Sequence, residues 1–285
     1  MPTCTTIRFD AATLSQYVSL FSACFPKSAN FNVAYLDWLY NKNPDGPAVG
    51  YDAWDGDRLA AHYACVPVKV SVVGTEVMAL LSLNTATHPQ YHRHGLFPKL
   101  AGLTYEAAAT AGFHCVFGVS NANSTSGAVR KIGFKFVQQL EARIGFGCLG
   151  VDWDSVGKNT QFERIWTPKS LAWRCANPKS PVVSNTTDRL TQFFAKAKGN
   201  FLSAYCELPI KNENKVNTSN QKPWSPARLF IGLVPAPANR FCRYISIPQR
   251  LRPSPLNFLY LPLTQTQVPI GPGGIKFSFL DFDAY

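Results

Sequence analysis

Acidic side chains are scarce in this sequence. Among 285 residues, 17 Asp and Glu face 28 Lys and Arg, a formal charge of +11. The surplus is uneven: residues 1–150 hold 11 basic and 9 acidic residues, and residues 151–285 hold 17 and 8. A basic second half raises the local concentration of anionic partners such as a phosphorylated cofactor or a nucleotide-linked substrate. Lys/Arg runs and nucleic-acid module patterns are both missing, which argues against nucleic acid as the partner. No apolar run reaches the ~18 residues a membrane span needs. The start, Met1-Pro2-Thr3-Cys4-Thr5-Thr6-Ile7-Arg8, lacks the basic-then-apolar profile of a secretory signal. The eight cysteines (Cys4, Cys24, Cys65, Cys115, Cys148, Cys175, Cys206, Cys242) form no C-x-x-C pair and no metal spacing. Reduced thiols and no metal are expected, and with them a cytoplasmic protein. An apolar content of 46% is enough for a folded core.

Helical and strand patterns alternate through residues 1–150. A short strand (Thr6–Phe9) leads to Asp10, an N-cap for a helix from Ala11 to about Cys24. A second helix covers roughly Val33–Tyr40 and ends before the turn Asn43-Pro44-Asp45-Gly46-Pro47. Strands follow around Val49–Trp54 and Leu59–Val72, joined at Asp55-Gly56-Asp57, and then Val77–Thr87. A one-sided apolar stripe marks a helix from Leu96 to Ala111, with Gly112 as its cap. Phe113–Val119 is a strand covered on both faces. A short helix near Ser124–Lys131 ends at Gly133, and Phe134–Ile144 closes the unit as one strand.

The second part, from about Val151, is richer in strands: Phe201–Leu208, Leu229–Val234, Cys242–Ile247, Leu256–Leu261 and Ile275–Phe282. A helix is expected near Asp188–Ala197 and an exposed loop at Asn212–Gln221. Gly271-Pro272-Gly273-Gly274 is a turn, because a strand follows it and Pro272 removes a donor. Leu36-x-Trp38 followed by Asn43-Pro44-x-x-Pro47 recurs as Leu171-x-Trp173 followed by Asn177-Pro178-x-x-Pro181. Two related domains, 1–150 and 151–285, would produce such a repeat, and so would chance reuse of a common turn chemistry.

Chemistry enters at His92-Arg93-His94-Gly95-Leu96-Phe97. A strand that ends at a basic glycine turn and feeds a helix leaves backbone N–H groups unpaired at the helix N-terminus, a site for phosphate or pyrophosphate. Arg93 and Lys99 either pair those phosphates or form a solvated basic turn.

With that turn, the segment Asn123-x-x-Ser126-x-x-Val129-x-x-x-Gly133-Phe134 resembles the GNAT superfamily of acyl-CoA-dependent N-acyltransferases over roughly residues 5–145. Two departures stand in the turn: His92 where the family has Gln or Arg, and Phe97 in place of a second small residue. The resemblance implies an α/β (α+β) fold, a GNAT-like mixed central sheet flanked by helices, followed by a smaller strand-rich GNAT-like domain that shapes the acceptor site. It also implies acetyl-CoA or another acyl-CoA as co-substrate and a small-molecule amine acceptor, and the basic surplus of the second half suggests an anionic one. Arg93, His94, Gly95, Leu96 and Phe97 would cradle the pyrophosphate. Leu83, Asn84, Thr85, Ala86 and Thr87 would hold the pantetheine arm along a strand edge, and the backbone around Thr87 would polarise the thioester carbonyl. Asn121 and Asn123 end the next strand, and Asn123 either contacts the pantetheine or caps a helix.

The family's acid and base have no counterparts. Val129 occupies the position of its Tyr, and Ser82 and Asn84 the region of its strand Glu. His88 and His92 are the candidate bases, His88 first, and Ser126, Ser124 or bulk water the candidate acid; Asp281, Asp283 and the terminal carboxylate at Tyr285 are more remote ones. The expected reaction is direct transfer of an acyl, above all acetyl, group to a primary amine, on an amino sugar or nucleotide-linked sugar. A Fem-like aminoacyltransferase and a non-catalytic acyl-CoA-binding protein are the alternatives.

Overall fold

The computed structural model describes residues 2–26, 31–197, 201–210, 225–236, 241–264 and 270–282. The expected loop at Asn212–Gln221 and the candidates Asp283 and Tyr285 lie outside them. In the first half the order is β1 (Thr3–Thr6), α1 (Ala11–Cys24), α2 (Val33–Tyr40), β2 (Val49–Asp55), β3 (Arg58–Val72) and β4 (Thr75–Thr87). A 3-10 turn (Pro89–Tyr91) leads to α3 (Leu96–Thr110), β5 (Cys115–Asn121), α4 (Ala122–Ile132), β6 (Lys135–Gln139) and β7 (Glu141–Phe146). Local chemistry sets these bounds. Asp10 caps α1 by accepting the Thr13 N–H, and Asn32 caps α2 by accepting that of Tyr35. Gly133, at φ 84, ends α4 in the left-handed conformation.

The second half continues with α5 (Trp153–Asn159), β8 (Phe162–Arg164), α6 (Pro168–Cys175), β9 (Val183–Thr186), β10 (Leu190–Lys196), β11 (Ser203–Pro209) and β12 (Ala227–Leu233). Then come β13 (Tyr244–Ser246), β14 (Leu256–Pro262), β15 (Ile275–Ser278) and a 3-10 turn at Phe279–Asp281. The helix expected at Asp188–Ala197 is strand β10. It lies between β9 and β11, where Thr191, Phe193 and Phe194 suit a pleated, buried surface. Helix α5 is not signalled by the sequence pattern, whereas α6 ends just past the repeated Leu171-x-Trp173 and carries a capping box between Thr167 and Ser170 with Pro168 in its first turn.

The single closing strand expected at Phe134–Ile144 breaks at buried Leu140, and its two pieces go to different places. Strand β6 stays with the first half, but β14 of the second half sits between it and β5, antiparallel to both. Strand β7 leaves and lies antiparallel between β12 and β13. The halves thus exchange strands, and ladders cross residue 150 in both directions. One apolar cluster joins Val68 and Phe117 to Phe162, Phe258 and Phe277.

Each half repeats one pattern. Strands β2, β3 and β4 are antiparallel neighbours and β5 joins β4 in parallel; β9, β10, β11 and β12 do the same. The helix before each set carries the repeated tryptophan. Trp38 and Trp173 stack with centroids 4.6 Å apart at 15°, and each indole N–H donates to the other residue's backbone carbonyl at 3.0 Å. Buried Asn43 and Asn177 then accept the backbone N–H two residues on, from Asp45 and Lys179. A Trp38→Ala change should lower the unfolding free energy by about 3–5 kcal/mol, read by chemical denaturation. Trp173→Ala combined with it should add less than its single effect, because both remove the same contact.

Arg174 ties down the end of the described chain. Its guanidinium donates to the carbonyls of Leu280 (2.9 Å), Phe279 (3.2 Å) and Phe282 (2.8 Å). No disulfide forms: all eight cysteines are free, and burial pushes the thiols of Cys65 and Cys115 up to about 12.

Candidate active site

Strands β4 and β5 pair only over Ala79–Ser82 and Cys115–Gly118. Beyond that point β4 stays with β3 and β5 stays with β14, so the two part and leave a V between Leu83–Thr87 and Val119–Asn121. The apex is tight. A Cβ on Gly118 would lie 3.1 Å from the Ser82 carbonyl oxygen and 3.3 Å from its Cβ. Just past the apex β4 bulges: Ala64 faces Leu83 and His62 faces Ala86, so Asn84 and Thr85 together oppose Tyr63. Asn84 takes φ 49, and such a bulge releases backbone groups from the ladder. Residues 82–85 and Val119 line a cleft of about 350 Å³ together with Phe31, Phe282 and Lys179. The Lys179 ammonium lies 5.4 Å from the Phe31 ring and 5.3 Å from that of Tyr35.

The basic turn leads into α3 where the strand ends. Arg93 and Gly95 both take φ 69, and Gly95 is the N-cap without a side-chain cap. The first helical bond runs from the Lys99 N–H to the Gly95 carbonyl at 3.3 Å. The N–H groups of Leu96 and Phe97 therefore have no intrahelical partner, and Pro98 has none to offer. The His94 N–H points back to the Tyr91 carbonyl at a weak 3.5 Å. A Cβ on Gly95 meets nothing within 4 Å, so backbone conformation, not crowding within the chain, is what requires glycine here. Leu96 is buried in the core and Phe97 packs on Tyr63, so both offer the turn only their backbone. Arg93 and Lys99 are exposed.

The other expected residues fall in three places. Asn84 and Thr85 line the cleft, Ala86 is buried, and the Thr87 carbonyl already faces His92 Nε2 at 2.9 Å and accepts from the Cys24 thiol at 3.2 Å. Asn121 is the N-cap of α4, its Oδ1 accepting from the N–H groups of Asn123 and Ser124 at 3.0 Å each. Asn123 is exposed beside it. Ser126 is exposed on α4 and does not line the cleft. His88 lines a different groove, with Asp55, Asp57 and Arg58. Its Nε2 lies 3.0 Å from Arg58 and its Nδ1 accepts from the Gln90 N–H. Partial burial lowers its pKa, with Arg58 and His92 acting in the same direction.

Sequence reasoning missed two buried polar lines that reach the cleft. Ser82 Oγ is 2.8 Å from the Tyr63 hydroxyl, which is 2.7 Å from that of Tyr105. Burial raises the pKa of both phenols, and they stay protonated. Asn84 begins the other, through Tyr40 to His62 and Asp52. The partners in each are far apart in sequence, and no local motif marks them.

The matching V of the second half is occupied. Strands β11 and β12 pair only at Ser203–Ala204 and Arg228–Leu229, and then β15 enters on the same edge of β12, pairing Gly232 with Ser278 and Leu233 with Phe277. A Cβ on Gly232 would sit 2.1 Å from the Phe277 carbonyl oxygen. Among the described residues no group of His, Cys, Asp or Glu is arranged to hold a metal, and no helix is long and apolar enough to cross a membrane.

Residues 6–137, just under half of the chain, match the family model of the acetyltransferase (GNAT) domain. No curated protein matches. Among solved structures, a conserved Enterococcus faecalis protein of unknown function, described as a probable N-acyltransferase, is similar at TM-score 0.58 and 10% identity. That likeness covers 90% of this chain and 72% of the other. A GCN5-related N-acetyltransferase from Anabaena variabilis gives 0.53 at 10% identity, over 92% and 73%. Eis1 from Mycobacterium abscessus gives 0.55 at 8% identity, over 92% and 74%. At such identities the likeness establishes the fold, a GNAT-type α/β arrangement over most of the chain, as the resemblance implied.

Proposed function

We propose that this chain, whose residues 6–137 form a GNAT acetyltransferase domain, binds one acyl-CoA in the β4–β5 opening and transfers its acetyl group to a primary amine. The observation that carries this reading is the alignment of the opening with the free N–H groups at the head of α3. The pyrophosphate meets the backbone of residues 93–97 and the helix dipole, with Arg93 and Lys99 beside it. The pantetheine arm adds to the free edge of β4 over Leu83–Thr87 as a further strand would. This sets the thioester at the bulge, where backbone N–H groups released from the ladder polarise its carbonyl.

The neutral amine attacks the carbonyl carbon, the C–S bond breaks, and the amine's proton leaves to water. The thiolate takes its proton from the Ser82 hydroxyl, resupplied by Tyr63 and Tyr105, which does the work of the tyrosine absent at Val129. No carboxylate lines the cleft among the described residues, and Lys179 does. An acceptor with an anionic group, such as a phosphorylated or nucleotide-linked amino sugar, fits that balance. The free thiols suit a cytoplasmic setting.

Acetyl-CoA turnover, followed by thiol release over phosphorylated, nucleotide-linked and neutral amino sugars, tests the reading. Release with an anionic amine, and less with its neutral counterpart, is expected. Binding without release across the panel supports a purely acyl-CoA-binding protein, the reading that Val129 favours. No binding overturns both.

A further inference from the structure

A second line of polar side chains runs from α1 through the interior to the cleft. The Tyr17 hydroxyl donates to Asp52 Oδ2 at 2.7 Å and accepts the Arg8 N–H at 3.1 Å. Asp52 Oδ1 lies 2.7 Å from His62 Nδ1, and His62 Nε2 lies 3.0 Å from the Tyr40 hydroxyl. Asn84 Nδ2 donates to that hydroxyl at 3.0 Å. Tyr17, Asp52, His62 and Tyr40 are at most 1% exposed. Asn84 alone reaches the cleft, at the φ 49 of the bulge.

Hydrogen-bond chemistry gives this line one direction. A carboxylate only accepts, so His62 Nδ1 carries a ring hydrogen, and because Asn84 Nδ2 donates to the Tyr40 oxygen, the Tyr40 hydrogen is left for His62 Nε2 to accept. With that hydrogen committed, the Tyr40 oxygen has only lone pairs for its other neighbour, and the Asn84 amide keeps its Nδ2 inward. The Asn84 Oδ1 is held on the opposite side of the amide and has no partner among the described residues, yet it is not one of the buried, unpartnered atoms. Burial makes a wrong flip costly, because it would set two acceptors face to face in a low-dielectric interior.

We infer that Asn84 Oδ1 accepts a hydrogen bond from the attacking amine, and that Asp52, His62 and Tyr40 are positioning residues that fix the flip of the Asn84 amide. The inference rests on the acyl-transfer reading of the same cleft. A neutral amine must spend its lone pair on the thioester carbon, and its N–H groups need an acceptor while positive charge develops on nitrogen. A carbonyl oxygen at the bulge supplies that acceptor, whereas an inward-facing NH₂ would compete for the lone pair.

Asp52→Asn tests the direction with little change of shape. The new amide accepts from Tyr17 through its oxygen and donates to His62 Nδ1 through its nitrogen. Nε2–H then donates to the Tyr40 oxygen, the Tyr40 hydroxyl donates to Asn84 Oδ1, and the Asn84 amide flips. Nitrogen-15 NMR should show the His62 proton on Nδ1 in the wild type and on Nε2 in the variant. With acetyl-CoA and glucosamine 6-phosphate as probes, kcat/KM for the amine should fall roughly 10- to 100-fold, the worth of one charge-assisted hydrogen bond. The KM for acetyl-CoA should stay within about 2-fold, because nothing in the helix-end site changes.

Asn84→Gly, which tolerates the positive φ, should reproduce the kinetic loss with the His62 tautomer unchanged; it keeps the claim testable if Asp52→Asn does not fold. Wild-type rates in Asn84→Gly, or a reversed tautomer with unchanged kcat/KM in Asp52→Asn, overturn this inference alone. A wild-type protein that acetylates no amine overturns it together with the acyl-transfer reading.

Discussion

A fragment of residues 1–150 should not fold by itself. It lacks β14, which fills the space between β5 and β6 and buries Phe258, Leu259 and Tyr260 in the first half's core. Each of those side chains contributes about 1.5–3 kcal/mol by burial. Their sum rivals the roughly 5–15 kcal/mol by which whole domains are stable. The fragment also exposes two unpaired strand edges, on β5 and β6, and carries β7 with no partner. Residues 151–285 alone have the complementary defect, since β12 and β13 lose β7. Circular dichroism of either piece should show no cooperative transition. Mixed, they should recover one transition and coenzyme binding together. A cooperative transition from residues 1–150 alone would contradict the exchange of strands.

Gly95→Val should weaken coenzyme A binding about 30-fold or more. The position has φ 69, where a β-branched residue is strained by roughly 1–2 kcal/mol. Relief of that strain turns the first turn of α3 and removes the N–H groups of Leu96 and Phe97 from the phosphates, each such charge-assisted bond being worth about 1.5–3 kcal/mol. Gly56→Val is the control. It is equally left-handed, at φ 56, and equally uncrowded, but lies in the β2–β3 turn. It should lower stability by a similar amount and leave coenzyme affinity unchanged. Equal affinity for both variants and the wild type, by calorimetry, would remove the phosphate role from the turn.

What could be read in the sequence was local. Asp10, the 43–47 turn and Gly133 fix their elements through bonds to near neighbours, and α1 and α2 fall at the expected residues. The Trp38 and Trp173 repeats could be seen as a pattern, but their reciprocal stacking could not. The strand exchange was hidden because β14 has the same apolar character in any sheet; pairing partners are chosen by the whole fold. Strand β10 stands where a helix is expected for a related reason, since a short apolar run between polar turns suits either period until its neighbours are known. His88 has the side-chain chemistry of a base, but it lines a groove other than the cleft. Tyr63, Tyr40 and His62 have no signature, and Asn84 is legible only as part of a strand edge, as their joint meaning is a geometry across β3, β4 and α2.

On the proposed reading, one V holds the coenzyme while the other is closed by the chain's own β15. Calorimetric titration of the full-length chain with coenzyme A measures both parts at once, through affinity and stoichiometry. One site per chain, weakened by Gly95→Val and not by Gly56→Val, is the expected result. Two sites per chain, or none, would contradict it.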